Sequence, residues 1–165
     1  MILIILLAVF FGRPFDSFAG EWGFWQSVGG VLFVTAIGFV TLAISKVFLP
    51  TPVVDAEDRE VYQGTWPAVF FFVAGIGPLY EELIFRYCIL GALYASYPVL
   101  AIGLSGVIFG IVHKHYKLAK IVKGIGYAWL YVMSGTIWVP FAAHAFWNFM
   151  CVYAVKSRIE RRRRW

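Results

Sequence analysis

The 165-residue chain is 61% hydrophobic and 19% aromatic, with only 14% charged residues. A soluble domain is nearer ~45–50% apolar, so this composition, at a mean hydropathy of +0.78, excludes an ordinary soluble domain and reads as one integral membrane unit. The net charge of +5 does not mark a nucleic-acid binder, because the basic residues gather at the ends of apolar runs, as they do in membrane chains.

Met1–Phe11 is an unbroken apolar run stopped by Gly12-Arg13-Pro14. It is short for a span, which needs ~17–25 residues, and it lacks the basic start and cleavage site of a signal peptide. It reads as a short or tilted first helix. Trp22–Leu49 is a full span, opened by Trp22 and Trp25 at an interface and closed by Pro50-Thr51-Pro52. Val53–Gly64 is a polar connection. Trp66–Tyr94 is the third span, with a kink or break expected at Gly75, Gly77 and Pro78. Val99–His113, Ile121–Ser134 and Ile137–Val155 complete about six spans, an all-α polytopic transmembrane bundle. Residues 1–65 form N-terminal membrane segments and a polar connection, 66–155 a core, and 156–165 a basic tail.

Placing that tail in the cytoplasm puts the Lys114–Lys123 connection on the same side. Of all Lys and Arg residues, only Arg13 and Arg86 then depart from the positive-inside arrangement. The tail also suits anionic lipid. Cys88 and Cys151 have neither CxxC nor metal-ligand spacing and read as small membrane-core residues.

The chemistry lies in polar residues set inside apolar runs. A charge in the bilayer core costs at least ~2.5–3.5 kcal/mol, and Glu81, Glu82 and Arg86 fall within six positions. Glu82 and Arg86 have i,i+4 spacing with the acid first, the better orientation for a helical pair. Glu81 is left without a local partner, so Glu82–Arg86 reads as a brace and Glu81 as the working group. His113 shares a helix face with Phe109, and Gly106-xxx-Gly110 lets another helix approach that side. His144 and Asn148 share a face in the sixth span. A lone polar residue in a span ordinarily makes a helix–helix hydrogen bond. One unpaired carboxylate, two histidines and one amide on three helices supply instead a base, a water orienter and oxyanion donors. Glu81, His113 and His144 are equally the ligand types of catalytic zinc, although His-Glu-x-x-His is absent.

Glu81-Glu82-x-x-x-Arg86, Phe109-x-x-x-His113 and His144-x-x-x-Asn148, in that order on separate spans, resemble the CPBP family, the CAAX-protease and bacteriocin-processing intramembrane proteases also called Abi. Gly77-Pro78 before the acids and Gly135-Thr136-Ile137-Trp138-x-Pro140 before the last motif extend the likeness from about Trp66 to Tyr153. The resemblance implies an intramembrane endopeptidase acting on a membrane-anchored or prenylated peptide. It implies Glu81 as the base acting on water with His113, His144 with Asn148 at the oxyanion, and Glu82, Arg86 and Phe109 as support. It implies no cofactor in the glutamate mechanism, with zinc as the alternative. Tyr87 stands where many members carry Gly, which suggests a narrower cavity. The rival readings are a transporter or proton relay, which marks its path with the same residue types, and an immunity-type membrane protein that keeps the fold without cleaving.

Overall fold

The computed structural model describes residues 22–48 and 65–162. Met1–Phe11, Pro50–Pro52 and Val53–Gly64 lie outside the described residues. The fold is all-helical, with no strand among the described residues. Helix α1 covers Phe24–Phe48, α2 is one helical stretch over Trp66–Tyr94, α3 covers Pro98–Ile111, α4 Lys117–Ser134 and α5 Trp138–Arg162.

Two of these helices are long and apolar enough to cross a membrane: Phe24–Ile44, at mean hydropathy 2.2, and Trp66–Tyr94, at 1.6. Helix α3 is apolar but has 14 residues, about 21 Å at 1.5 Å per residue, short of the ~30 Å hydrocarbon core. The fifth helix of the sequence reading begins earlier than expected. It starts at Lys117, not Ile121, which shortens the expected 114–123 connection to the turn before α4. Lys123 becomes a buried helical residue, 4% exposed.

Helix α2 is interrupted where glycine and proline lead the sequence to expect it. Phe70–Ile76 is π-helical and hands over to Gly77–Glu82, with the Gly77 N–H bonded to the Phe72 carbonyl. Pro78 has no N–H, and in a regular helix its ring would press on the carbonyl four residues back. A wider turn before it relieves that conflict. A second π-helical segment, Leu83–Leu90, carries Arg86, and no Gly or Pro within it announces it.

Helices α3 and α4 pack backbone to backbone. A Cβ added to Gly106 would stand 2.6 Å from the Ile125 nitrogen, and one added to Gly110 would stand 2.6 Å from the Ile121 nitrogen. Small residues permit this approach. The connection between the two helices turns through Tyr116, whose φ of 53° is left-handed. Gly135, at φ 70°, ends α4 by donating its N–H to the Tyr131 carbonyl, the usual glycine stop.

The core has two centres. One gathers Tyr87, Leu90, Ala101, Ala128, Tyr131 and Ile137. The ring of Tyr87 therefore fills space between helices. The other gathers Val34, Phe85, Phe109, Tyr127, Leu130 and Ala143 and lies directly beneath the polar residues described next.

Candidate active site

Glu82 and Arg86 form the brace that their spacing implies. Arg86 Nε donates to Glu82 Oε2 at 2.8 Å, and both side chains are fully buried. The i,i+4 contact survives the change from α- to π-geometry between them. Arg86 Nη1 donates to Ser105 Oγ at 2.5 Å, and Ser105 Oγ donates to the Phe85 carbonyl at 2.8 Å. The guanidinium also lies against aromatic rings, 5.3 Å from the centre of Phe109 and 6.0 Å from that of Tyr127. A carboxylate, a hydroxyl and ring faces thus hold the buried cation, while its Nη2 is buried without a hydrogen-bond partner.

The carboxylate of Glu82 does more than hold Arg86. Its other oxygen, Oε1, accepts a hydrogen bond from His144 Nδ1 at 2.9 Å. The imidazole of His144 stacks on Tyr127, centroid to centroid 4.9 Å, and meets the edge of Phe109 at 5.5 Å. With Nδ1 committed and the ring clamped, Nε2 is the nitrogen left to face the site.

His113 is fixed in a parallel way. Helix α3 has ended two residues earlier, and the ring folds back so that Nδ1 donates to the Phe109 carbonyl at 2.5 Å. Its Nε2 also faces inward. Glu81 Oε2 stands 3.5 Å from His113 Nε2 and 3.7 Å from His144 Nε2. This oxygen is buried and makes no hydrogen bond, while the Glu81 side chain as a whole is 30% exposed. A carboxylate oxygen between two imidazole nitrogens, on a partly open side chain, can hold a water and take its proton.

Three of the four residues expected at the working centre are thus brought together from α2, α5 and the turn after α3. The fourth is committed elsewhere. Asn148 Nδ2 donates to the Val73 carbonyl at 3.0 Å, inside the first π-helical segment of α2. One turn from His144, it ties α5 to irregular backbone, which inside a membrane must find a protein partner. Its amide has a second N–H to offer.

The sequence reading missed Ser105 and Tyr127. Ser105 precedes Phe109 and His113 by four and eight residues, so the same helical face carries it, and that period was a usable signal. Tyr127 had none, since a tyrosine in an apolar helix looks like ordinary core.

Zinc requires Glu81, His113 and His144 to converge on one point at about 2.0–2.2 Å. Both imidazoles have Nδ1 tied, as ligating histidines do. Even so, no group of three His, Cys, Asp or Glu side chains among the described residues is arranged to hold a metal ion.

In this all-helical chain paired glutamates face histidines of two other segments, and the comparisons with known proteins give the family. The sequence profile described as type II CAAX prenyl endopeptidase Rce1-like matches residues 63–150, more than half of the chain; the chain belongs to this family. It is 42% identical over 85 residues to YdiL of Bacillus subtilis (strain 168), a protein named as a membrane peptidase. That match covers 50% of this chain and 35% of YdiL. It is 32% identical over 91 residues to the membrane-embedded CAAX protease MroQ of Staphylococcus aureus (strain USA300), covering 50% of this chain and 37% of MroQ. The chain therefore matches little more than a third of the length of these curated relatives. No solved structure gives a significant match.

Proposed function

We propose that the chain is an intramembrane endopeptidase in which Glu81 activates water for attack on a peptide carbonyl. The observation that carries this reading is the position of Glu81 Oε2 between His113 Nε2 and His144 Nε2, at 3.5 and 3.7 Å. Glu81 and His113 hold the water. As its oxygen bonds to the carbonyl carbon, its proton passes to the Glu81 carboxylate and the carbonyl electron pair moves onto oxygen. His144, in its doubly protonated form, donates from Nε2 to that oxyanion, joined by the second N–H of Asn148. Collapse of the tetrahedral intermediate breaks the C–N bond, and the leaving amine takes the proton from Glu81. Glu82, Arg86, Ser105 and Phe109 keep the two imidazoles in register.

Residues 66–155 form the protease core, preceded by N-terminal membrane segments over 1–65 and followed by a basic tail over 156–165. About six spans place both the turn before α4, with Lys114, and the tail in the cytoplasm. The substrate is a membrane-embedded or lipid-anchored peptide that reaches the site by lateral diffusion, a prenylated peptide being the form the family name suggests. Anionic lipid meets the tail, and nucleic acid has no part. Mass spectrometry of membrane proteins from cells with the wild-type chain and with Glu81→Gln tests the reading. A truncated product confined to the wild type is expected; identical peptide termini in both would point instead to a relay or immunity role.

A further inference from the structure

Helix α3 stops at the level of the reacting groups, while its neighbours run on. His113, just past the end of α3, stands 3.5 Å from Glu81, and Glu81 lies near the middle of the 29-residue α2. From Glu81, α2 continues toward Trp66 for about 20 Å at 1.5 Å per residue. Helix α5 continues beside it. Lys156, just over three turns or about 18 Å past His144, holds its ammonium 5.8 Å from the centre of the Trp66 ring. Tryptophan and lysine gather at membrane boundaries, so α2 and α5 share one boundary at Trp66 and Lys156. On the other flank a boundary of the same kind comes sooner. Val99, Leu100, Leu104, Val107, Ile111 and Val112 form an exposed apolar stripe on α3, and exposed Lys114 and Lys117 end it. The stripe is about 20 Å long, against a hydrocarbon core of ~30 Å. Exposed apolar residues on α1 run instead from Phe24 to Ile44, about 30 Å. Tilting α3 would only shorten its reach across the membrane.

We propose that on the α3–α4 flank the bilayer surface steps inward by about 10 Å, the difference between the stripe and the hydrocarbon core. Lipid headgroups gathered at Lys114 and Lys117, and the water among them, then lie beside His113. A bilayer meets too short a span by thinning, at modest cost. The step depends on the chain lying in a membrane. The peptidase reading supplies only its use: hydrolysis needs water at Glu81, and a recessed surface delivers it sideways past His113.

The test puts a nitroxide on one introduced cysteine in the full chain carrying Cys88→Ala and Cys151→Ala, in dioleoylphosphatidylcholine vesicles. Depth is read from relative accessibility to oxygen and to a water-soluble nickel chelate. One label replaces Val112 on α3, the other Phe146 on α5, and both positions are exposed. Val112 precedes His113, whereas Phe146 follows His144 toward the Lys156 boundary. A flat bilayer would therefore leave Val112 the deeper by about 4–5 Å. A stepped surface reverses the order, with Val112 at headgroup level and Phe146 several ångströms inside hydrocarbon. A label at Ile111, on the same stripe, repeats the measurement should the Val112 variant unfold. Val112 as deep as Phe146, or deeper, overturns the proposal. So does a Val112 label shielded from both reagents, since a second copy of the chain would then cover the stripe. No cleavage enters the measurement. Wild-type protein that shows the step yet cuts nothing would defeat the peptidase reading and leave the step standing.

Discussion

Glu82 joins two helices through its two oxygens, accepting from Arg86 on α2 at 2.8 Å and from His144 on α5 at 2.9 Å. The pairing with His144 decides which imidazole nitrogen is left for chemistry. Replacing Glu82 with Ala removes both contacts and strands the fully buried Arg86 charge. Breaking a buried pair in this way costs about 3–5 kcal/mol. The expected result for Glu82→Ala is a lower yield, a lower unfolding temperature in detergent and loss of cleavage together. A well-folded and active Glu82→Ala protein would remove the brace from the account.

Glu81 should behave differently. Its carboxylate is partly exposed, and its inner oxygen makes no hydrogen bond, so little of the fold depends on it. Glu81→Gln keeps the shape and removes the base. Turnover should fall on the order of 10²–10⁴-fold, as for other lost general bases, with the unfolding temperature unchanged. Near-normal turnover by the variant would end the proposed mechanism.

The three motifs and the Glu82–Arg86 brace were legible because each rests on local spacing. Glu82–Arg86 is an i,i+4 pair, and the Gly106-xxx-Gly110 seam does lie against a neighbouring helix. What could not be read is what depends on partners distant in sequence. The hydrogen bond from Asn148 to Val73 crosses 75 positions, and nothing near Asn148 announces that a π-helical carbonyl is waiting for it. Lys123 reads as part of a basic connection by composition, and only the packing of α4 against Gly38 and Trp147 shows it to be interior. The membrane count illustrates a different limit. Apolarity alone marks α3 as a span, while its length of 14 residues depends on where the turn into α4 forms.

The glycine seam should be as sensitive as the acids. Gly106→Ala and Gly110→Ala each force a methyl against the backbone of α4 at 2.6 Å. Overpacking of this kind costs typically ~1–3 kcal/mol, and parting the helices carries His113 away from Glu81. Both variants should unfold at lower temperature and cleave more slowly. Gly103→Ala is the control, because a Cβ there meets nothing within 4 Å. That variant should match the wild type or slightly exceed its stability, since Ala is the better helix former. Equal behaviour of all three would argue against a tight seam.

Metal dependence is open to direct measurement. The proposed mechanism uses side chains alone, so activity of the purified protein should persist after exhaustive dialysis against a strong chelator, with less than one metal per chain by elemental analysis. Loss of activity restored by zinc, with one zinc bound per chain, would make His144 a ligand and replace the glutamate mechanism. The location of the site and the peptidase class would stand.

The π-helical turns of α2 have a meaning for how the site is counted out along the chain. A turn closed by an i→i+5 bond holds one residue more than a turn closed by i→i+4, and each helical residue advances the phase by about 100°. Were Phe70–Ile76 closed by i→i+4 bonds with no residue removed, the residue that its wide turn absorbs would pass on along the helix. Glu81 and Glu82 would then rotate by roughly a quarter turn, about 100°, against the helix that precedes the segment. Two chains could then share all three motifs letter for letter and still differ in whether the carboxylate meets its histidines. The apolar stretch ahead of the acids works as an angular setting, and its winding is part of the site.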